Sequence, residues 1–241
     1  MSQGRDIPTE IMRAVRQKCG FGCIICGLPV FHYDHIEEYA SVKGHDVDNI
    51  VLLCPNHHQD KTSGRLTKNV IKTYAKSPAN LLAPRTTAHM MHLRADDAVF
   101  IVGSNSYHFQ FSETRNHFNA IVLDGLSVLG MSNDHGQLTL NLRATDATGR
   151  EILRIRGGCL SVSTGVWDYD ISGRRISIRS GMRIFDLEME ILPNGLSIKR
   201  GYLRGKASQA TIYPDRIIVT PGKITFQNCN FRNCDRGLVV R

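Results

Sequence analysis

The sequence predicts an α+β chain: a small helix-bearing first part followed by an all-β remainder. Four of the seven cysteines (Cys19, Cys23, Cys26, Cys54) fall within the first 54 residues, among histidines and helix-type apolar spacing. From about residue 98 the apolar period switches to two, the signature of half-buried strands. Gly-containing breaks then recur at short intervals, as turns between strands do. At about 150 residues per domain, the 241 residues suit one large domain or two smaller ones. The expected division is a first domain over 1–78, a connector over 79–97 and an all-β domain over 98–241.

Taken in order, Thr9 is expected to cap an opening helix that carries Ile11, Met12 and Val15 on one face. Thr67 is expected to cap another, with Val70, Ile71 and Tyr74 at helical spacing and an end before Ser77-Pro78. In the second part Leu138, Leu140 and Leu142 alternate with Thr139, Asn141 and Arg143. Ile176 and Ile178 alternate with Arg175, Ser177 and Arg179, and Phe185, Leu187, Met189 and Ile191 with Asp186, Glu188 and Glu190. Thr148-Gly149, Ser172-Gly173, Pro193-Asn194-Gly195 and Pro221-Gly222 mark turns. The pattern predicts a mainly antiparallel sandwich or roll. The Asn/Cys rhythm of residues 223–240 supplies the minority alternative, a β-helix, although it is too short to establish a repeat.

A hydrophobic content of 41% with 22% charged residues excludes disordered and collagenous chains. No run of eighteen apolar residues and no apolar leader are present, so the expectation is a cytoplasmic protein without a membrane partner. Net charge is +8, of which +2 lies in residues 1–78 (ten basic, eight acidic) and +6 beyond (twenty basic, fourteen acidic). Seventeen of those twenty are Arg, whose planar fork suits phosphate. A polyanionic partner and a merely soluble basic surface both fit that balance.

Cys23-Ile-Ile-Cys26 and Cys54-Pro-Asn-His57 are two ligand pairs at matched spacing. Together they can close a tetrahedral Zn²⁺ site of three thiolates and one imidazole. The odd, clustered cysteine count without a leader favours metal ligation over disulfides. Within this bracket lie Tyr33-Asp34-His35-Ile36, Asp48-Asn49-Ile50 and His58-Gln59-Asp60-Lys61. His58 follows His57 directly and, on a helix, points about 100° away from it, toward a different site. Asp34 and His35 face opposite sides if they lie on a strand. A carboxylate with a neutral imidazole makes an open site for Mg²⁺ or Mn²⁺.

Cys23-x-x-Cys26, Asp34-His35-Ile36, Asn49-Ile50 and Leu53-Cys54-Pro55-Asn56-His57-His58-x-x-Lys61-Thr62 resemble the HNH endonuclease family over residues of about 7–78. The resemblance implies a ββα-metal fold gripping one catalytic ion. It departs at His57, where many zinc-bearing members have a cysteine. It implies His35 as general base, Asp34 and His58 as holders of the ion, and Asn49 as a brace that orients His35. Lys61 and Arg65 are expected at backbone phosphates, with His45 as a loop or phosphate contact. Bland alternatives stand beside these roles: a structural Asp34–His35 pair, a turn role for Asn49, and His58 rather than His57 on zinc. By strand alternation His32 shares a face with Asp34 and is read as an exposed bystander. Cys19 is read as a buried thiol, Cys159, Cys229 and Cys234 as core residues, and Trp167 as a core aromatic with an exposed base-stacking role as the alternative.

The expected function is a divalent-metal-dependent DNA endonuclease with structural Zn²⁺ and catalytic Mg²⁺ or Mn²⁺, Ni²⁺ being a further candidate. The β-rich domain is expected to govern recognition, regulation or oligomerisation, with an activating ligand or partner protein and a homodimer or larger homo-oligomer as its candidate arrangements. Restriction or antiphage defence is a reading by domain analogy. The alternative function is a zinc-stabilised nucleic-acid-binding module without catalysis.

Overall fold

The computed structural model describes residues 6–240, and the chain divides into two compact units. The first comprises residues up to His89 together with Ser161–Ile171. The second comprises Met90–Leu160 and Ser172 onward. Among the described residues no helix is long and apolar enough to cross a membrane.

In the first unit, helix α1 (Thr9–Lys18) opens with Pro8 as its cap and no side-chain capping bond. Thr9 is therefore the first helical residue and not the cap the sequence suggests. Pro8 has a fixed φ and an extended ψ of 142°, and its carbonyl takes the first helical bond from Met12 N at 2.9 Å. Strand β1 (His32–His35) pairs antiparallel with β2 (Ile50–Leu53), Asp34 opposite Val51 and His35 opposite Ile50. Between them lies the short helix α2 (Tyr39–Val42). Helix α3 (Pro55–Thr62) follows β2 directly, which completes a ββα unit. All four β2 side chains are fully buried, and they share the core with Val15, Ile24, Phe31, Ile36 and Ile71. Helix α4 (Lys68–Lys76) begins at Thr67, whose hydroxyl accepts from Val70 N at 3.5 Å. Of its expected apolar face only Ile71 is buried; Val70 and Tyr74 remain 41% and 40% exposed.

The second unit is built of strands that are mostly paired antiparallel. His117–Leu123, Leu126–Asp134, Gln137–Thr145 and Glu151–Arg156 form one meander. Arg175–Gly181, Ile184–Leu192, Gly195–Arg204, Gln209–Tyr213, Arg216–Thr220 and Ile224–Phe226 form another. Leu138, Leu140, Leu142, Ile176 and Ile178 are buried as their alternation requires, and the four Gly-containing turn signals fall between strands. Among the described residues, three parallel pairings join early strands to late ones. Gly195–Ile198 lies beside Val99–Val102, Asn230–Arg232 beside Ser106–His108, and Arg236–Val240 beside Asn119–Leu123. The first join requires a glycine, because a Cβ on Gly195 would stand 1.8 Å from the Val99 carbonyl oxygen.

Three cysteines and the tryptophan depart from the expected core positions. Cys159 and Cys229 are half-buried and Cys234 is exposed, because each sits on an outward-facing or turn position. Trp167 is half-buried in the first unit, with the Arg13 guanidinium over its ring at 4.8 Å.

Candidate active site

The first cluster is assembled from two tight turns. Cys23 and Cys26 lie on a knuckle closed by Gly27 N donating to Cys23 O at 2.8 Å and Cys23 N donating to Leu28 O at 2.9 Å. Ile24 N donates to Leu52 O at 2.9 Å, which fastens the knuckle to β2. Cys54 caps α3 and His57 lies in its first turn. The ligand atoms of Cys23, Cys26, Cys54 and His57 all lie within 4.8 Å of one another. His57 Nδ1 stands 3.3 Å from both Cys23 Sγ and Cys54 Sγ, and Cys26 Sγ is 3.7 Å from Cys54 Sγ. A tetrahedron with zinc bonds of about 2.3 Å to sulfur and about 2.0 Å to nitrogen has S–S edges of about 3.8 Å and S–N edges of about 3.5 Å. The four residues therefore fit a structural zinc ion.

Electrostatics point the same way. Burial pushes the Cys26 thiol up to about 12 and raises that of Cys23, despite backbone N–H groups aimed at both sulfurs. Bare thiolates are unfavourable there, and a bound divalent cation would offset their charge. His57, and not His58, is the nitrogen in this cluster. Cys19 lies outside it as a buried thiol, with burial pushing it up to about 11. The knuckle also has a brace that residue spacing did not reveal: Asn80, 2% exposed, donates to Gly20 O at 3.1 Å and Gly27 O at 2.9 Å. Gly27 has φ +75°, and a Cβ there would lie 2.3 Å from Asn80 Oδ1.

The second cluster uses both faces of β1. On one face, Asp34 Oδ1 lies 3.6 Å from His58 Nε2, and the His32 ring sits 5.4 Å from that of His58. Lys61, one turn along α3 from His58, places Nζ 2.6 Å from Asp34 Oδ2 and donates to the His35 carbonyl. It is thus turned inward, with only 12% of its side chain exposed. Arg65 stands apart, paired with Asp60 at 2.8 Å on the surface.

On the other face, His35 Nε2 meets His45 Nδ1 at 3.2 Å. Burial lowers the His35 pKa below its ordinary value, aided by His45 and Lys61 and opposed by Asp34 and Glu38. That shift favours the neutral ring, which has a lone pair to offer. Asn49 ties the loop between the strands: its Nδ2 donates to Glu37 O at 3.0 Å, its Oδ1 accepts from Glu37 N at 2.8 Å, and its carbonyl accepts from Ile36 N at 2.8 Å. Tyr33 offers its hydroxyl oxygen to Arg16 Nη1 at 2.6 Å, which anchors β1 beside Asp34.

Chemically, Asp34 and His58 offer one oxygen and one nitrogen at a separation within reach of neighbouring positions on one divalent ion, for which bonds of about 2.1 Å give ligand edges of about 3.0 Å. The remaining positions would stay open to water and substrate. The His35 imidazole at the next residue of the strand is of a type able to accept a proton near neutral pH.

The HNH endonuclease family model matches residues 23–64, a stretch that holds the knuckle, β1, β2 and α3. No curated protein and no solved structure matches the chain. The second unit lies outside the matched stretch. This match supports a nuclease-like module over residues 23–64, similar to the HNH endonuclease family, whose substrate class is nucleic acid.

Proposed function

We propose that the protein is a divalent-metal-dependent DNA endonuclease. The observation that carries this reading is the gathering of Asp34, His35, His45, Asn49 and His58 around one β-pair and one helix, beside a Cys₃His cluster with zinc geometry. His35 takes the proton of the attacking water. Asp34 and His58 would hold the ion, with Mg²⁺ or Mn²⁺ as the candidates for the oxygen–nitrogen donor pair. When bound, that ion supplies positive charge against the charge developing on phosphorus and on the leaving oxygen. Asn49 holds the loop so that His35 keeps its place at the end of β1. Arg65 contacts the backbone of the substrate, while Lys61 balances the charge of Asp34.

The β-rich second part governs where or when cleavage occurs, through recognition, self-association or a ligand. A defence role against foreign DNA suits such an arrangement by analogy only. The test is incubation of supercoiled plasmid with purified protein in Mg²⁺, Mn²⁺, Ni²⁺ or EDTA. Ion-dependent nicking that EDTA abolishes is expected. Salt-sensitive binding with no cleavage in any ion would instead favour a zinc-stabilised nucleic-acid-binding module, a reading that draws on the Lys61–Asp34 ion pair.

A further inference from the structure

We propose that His45 is a positioning residue for the candidate base: it accepts a hydrogen bond from His35 Nε2–H and so holds His35 in the tautomer whose Nδ1 lone pair is available to the water proton. This rests on the nuclease reading above and adds a residue to it.

A neutral imidazole carries one N–H and one lone pair. His35 Nε2 and His45 Nδ1 are 3.2 Å apart, so one donates and the other accepts. If His45 were the donor, neutral His35 would carry its proton on Nδ1, and neither of its nitrogens would be free to act as a base. If His35 is the donor, Nδ1 is free. During attack the water proton passes to His35 Nδ1, the new O–P bond forms, and the bond from phosphorus to the leaving oxygen breaks, its electron pair departing with that oxygen, which takes a proton from solvent. The resulting imidazolium keeps its Nε2–H on His45.

The loop is folded to present this acceptor. Helix α2 ends at Lys43 in a left-handed conformation, φ 49°, with its N–H returned to Tyr39 O at 2.8 Å. Asp46 then starts a single 3₁₀ turn by accepting from Asp48 N at 3.0 Å. Between these two turns His45 is half-buried, and the Tyr39 ring stacks on it at 4.9 Å and 27°. Tyr39 also meets His35 edge-on at 5.6 Å, so three rings pack as one group. Asn49 applies its side-chain amide to Glu37. The ring of His35 is therefore oriented from the His45 side.

The test uses the full chain labelled with ¹⁵N-histidine and two variants. His45→Phe keeps a ring against Tyr39 and removes the acceptor; His45→Asn restores an acceptor oxygen near the Nδ1 position. In the wild-type protein the ring shifts of His35 are expected to show Nε2 protonated and Nδ1 bare. In His45→Phe they are expected to show mixed tautomers, with kcat lower by about 10- to 100-fold and KM little changed. His45→Asn is expected to recover the wild-type tautomer and most of kcat. A wild-type His35 protonated on Nδ1, or a tautomer unchanged in His45→Phe, would overturn the assignment. Because the shifts are read without turnover, failure to cleave DNA counts against the nuclease reading, whereas the tautomer decides the role of His45.

Discussion

Arg16 grips Asp168 through two parallel contacts of 2.8 Å, Nε to Oδ1 and Nη2 to Oδ2, with each residue only 2% exposed. The same guanidinium reaches Asp170 at 3.1 Å and Tyr33 on β1 at 2.6 Å. Burial alone would lower the guanidinium pKa, but the Asp168 hydrogen bond and the Asp170 charge outweigh it and raise it further, so Arg16 stays charged. Removing one partner leaves a buried charge uncompensated. Asp168→Ala is therefore expected to destabilise the first unit by about 3–5 kcal/mol. Denaturant unfolding followed by the fluorescence of Trp167, the one tryptophan in the chain, reads this directly. A loss under about 1 kcal/mol would show that water replaces the carboxylate. Replacing both partners by apolar residues of similar volume should restore much of the loss.

Zinc removal should unfold the first unit alone. A structural zinc contributes on the order of 10–16 kcal/mol of apparent binding energy, more than a core this small supplies. With a strong chelator, or in Cys26→Ser, Trp167 emission is expected to shift to the red while the β-sheet circular dichroism of the second unit persists. One zinc per wild-type chain is expected by elemental analysis. Retention of Trp167 emission without zinc would contradict the structural role of the cluster.

Lys61 holds a positive charge 2.6 Å from the carboxylate expected to receive the ion. Repulsion of a divalent cation at such range is worth about 1 kcal/mol or more even in a watery setting. Lys61→Met should therefore bind Mn²⁺ about fivefold more tightly, as read by electron paramagnetic resonance titration of zinc-loaded protein. Unchanged or weaker binding would mean that Lys61 does not compete for Asp34.

Asp146 gives the second unit an acid-sensitive turn. Burial would raise its pKa, but bonds from the Thr148 hydroxyl at 2.6 Å, Arg150 N at 2.9 Å and Arg150 Nε at 3.2 Å prevail and lower it. A carboxyl lowered in the folded state contributes stability that is present above its unfolded pKa of about 3.8 and is lost as pH falls through the folded value. Asp146→Asn is expected to lower the melting temperature of the second unit near neutrality, by about 1–3 kcal/mol in stability. It should also flatten the decline below about pH 4. Parallel melting curves for the two proteins from pH 3 to pH 7 would contradict this.

Local rules made the first site largely legible. Two ligand pairs at matched spacing located the Cys23, Cys26, Cys54 and His57 cluster, and helical geometry separated His57 from His58. Strand alternation put His32 and Asp34 on one face, beside His58. The Thr67 cap and the Leu138–Leu142 alternation were legible for the same reason, since each is decided within a few residues. What escaped depends on distant or loop-borne contacts. No spacing rule links Arg16 to Asp168, or Asn80 to the knuckle. The inward turn of Lys61 is set by Asp34, and the meeting of His45 with His35 by a left-handed residue at Lys43. Alternation tells which face of a strand is buried but not which strand lies beside it, so the three parallel joins of the second unit were invisible.

The most direct measurement is single-turnover cleavage of end-labelled duplex DNA by wild type, His35→Ala and His58→Ala, with bound zinc quantified in each. The account predicts metal-dependent cleavage by wild type and a loss of about 10²- to 10⁴-fold in His35→Ala. His58→Ala should need far more divalent ion for any cleavage, and zinc should stay at one per chain in all three. Cleavage by His35→Ala at the wild-type rate, or by His58→Ala with an unchanged ion requirement, would contradict it.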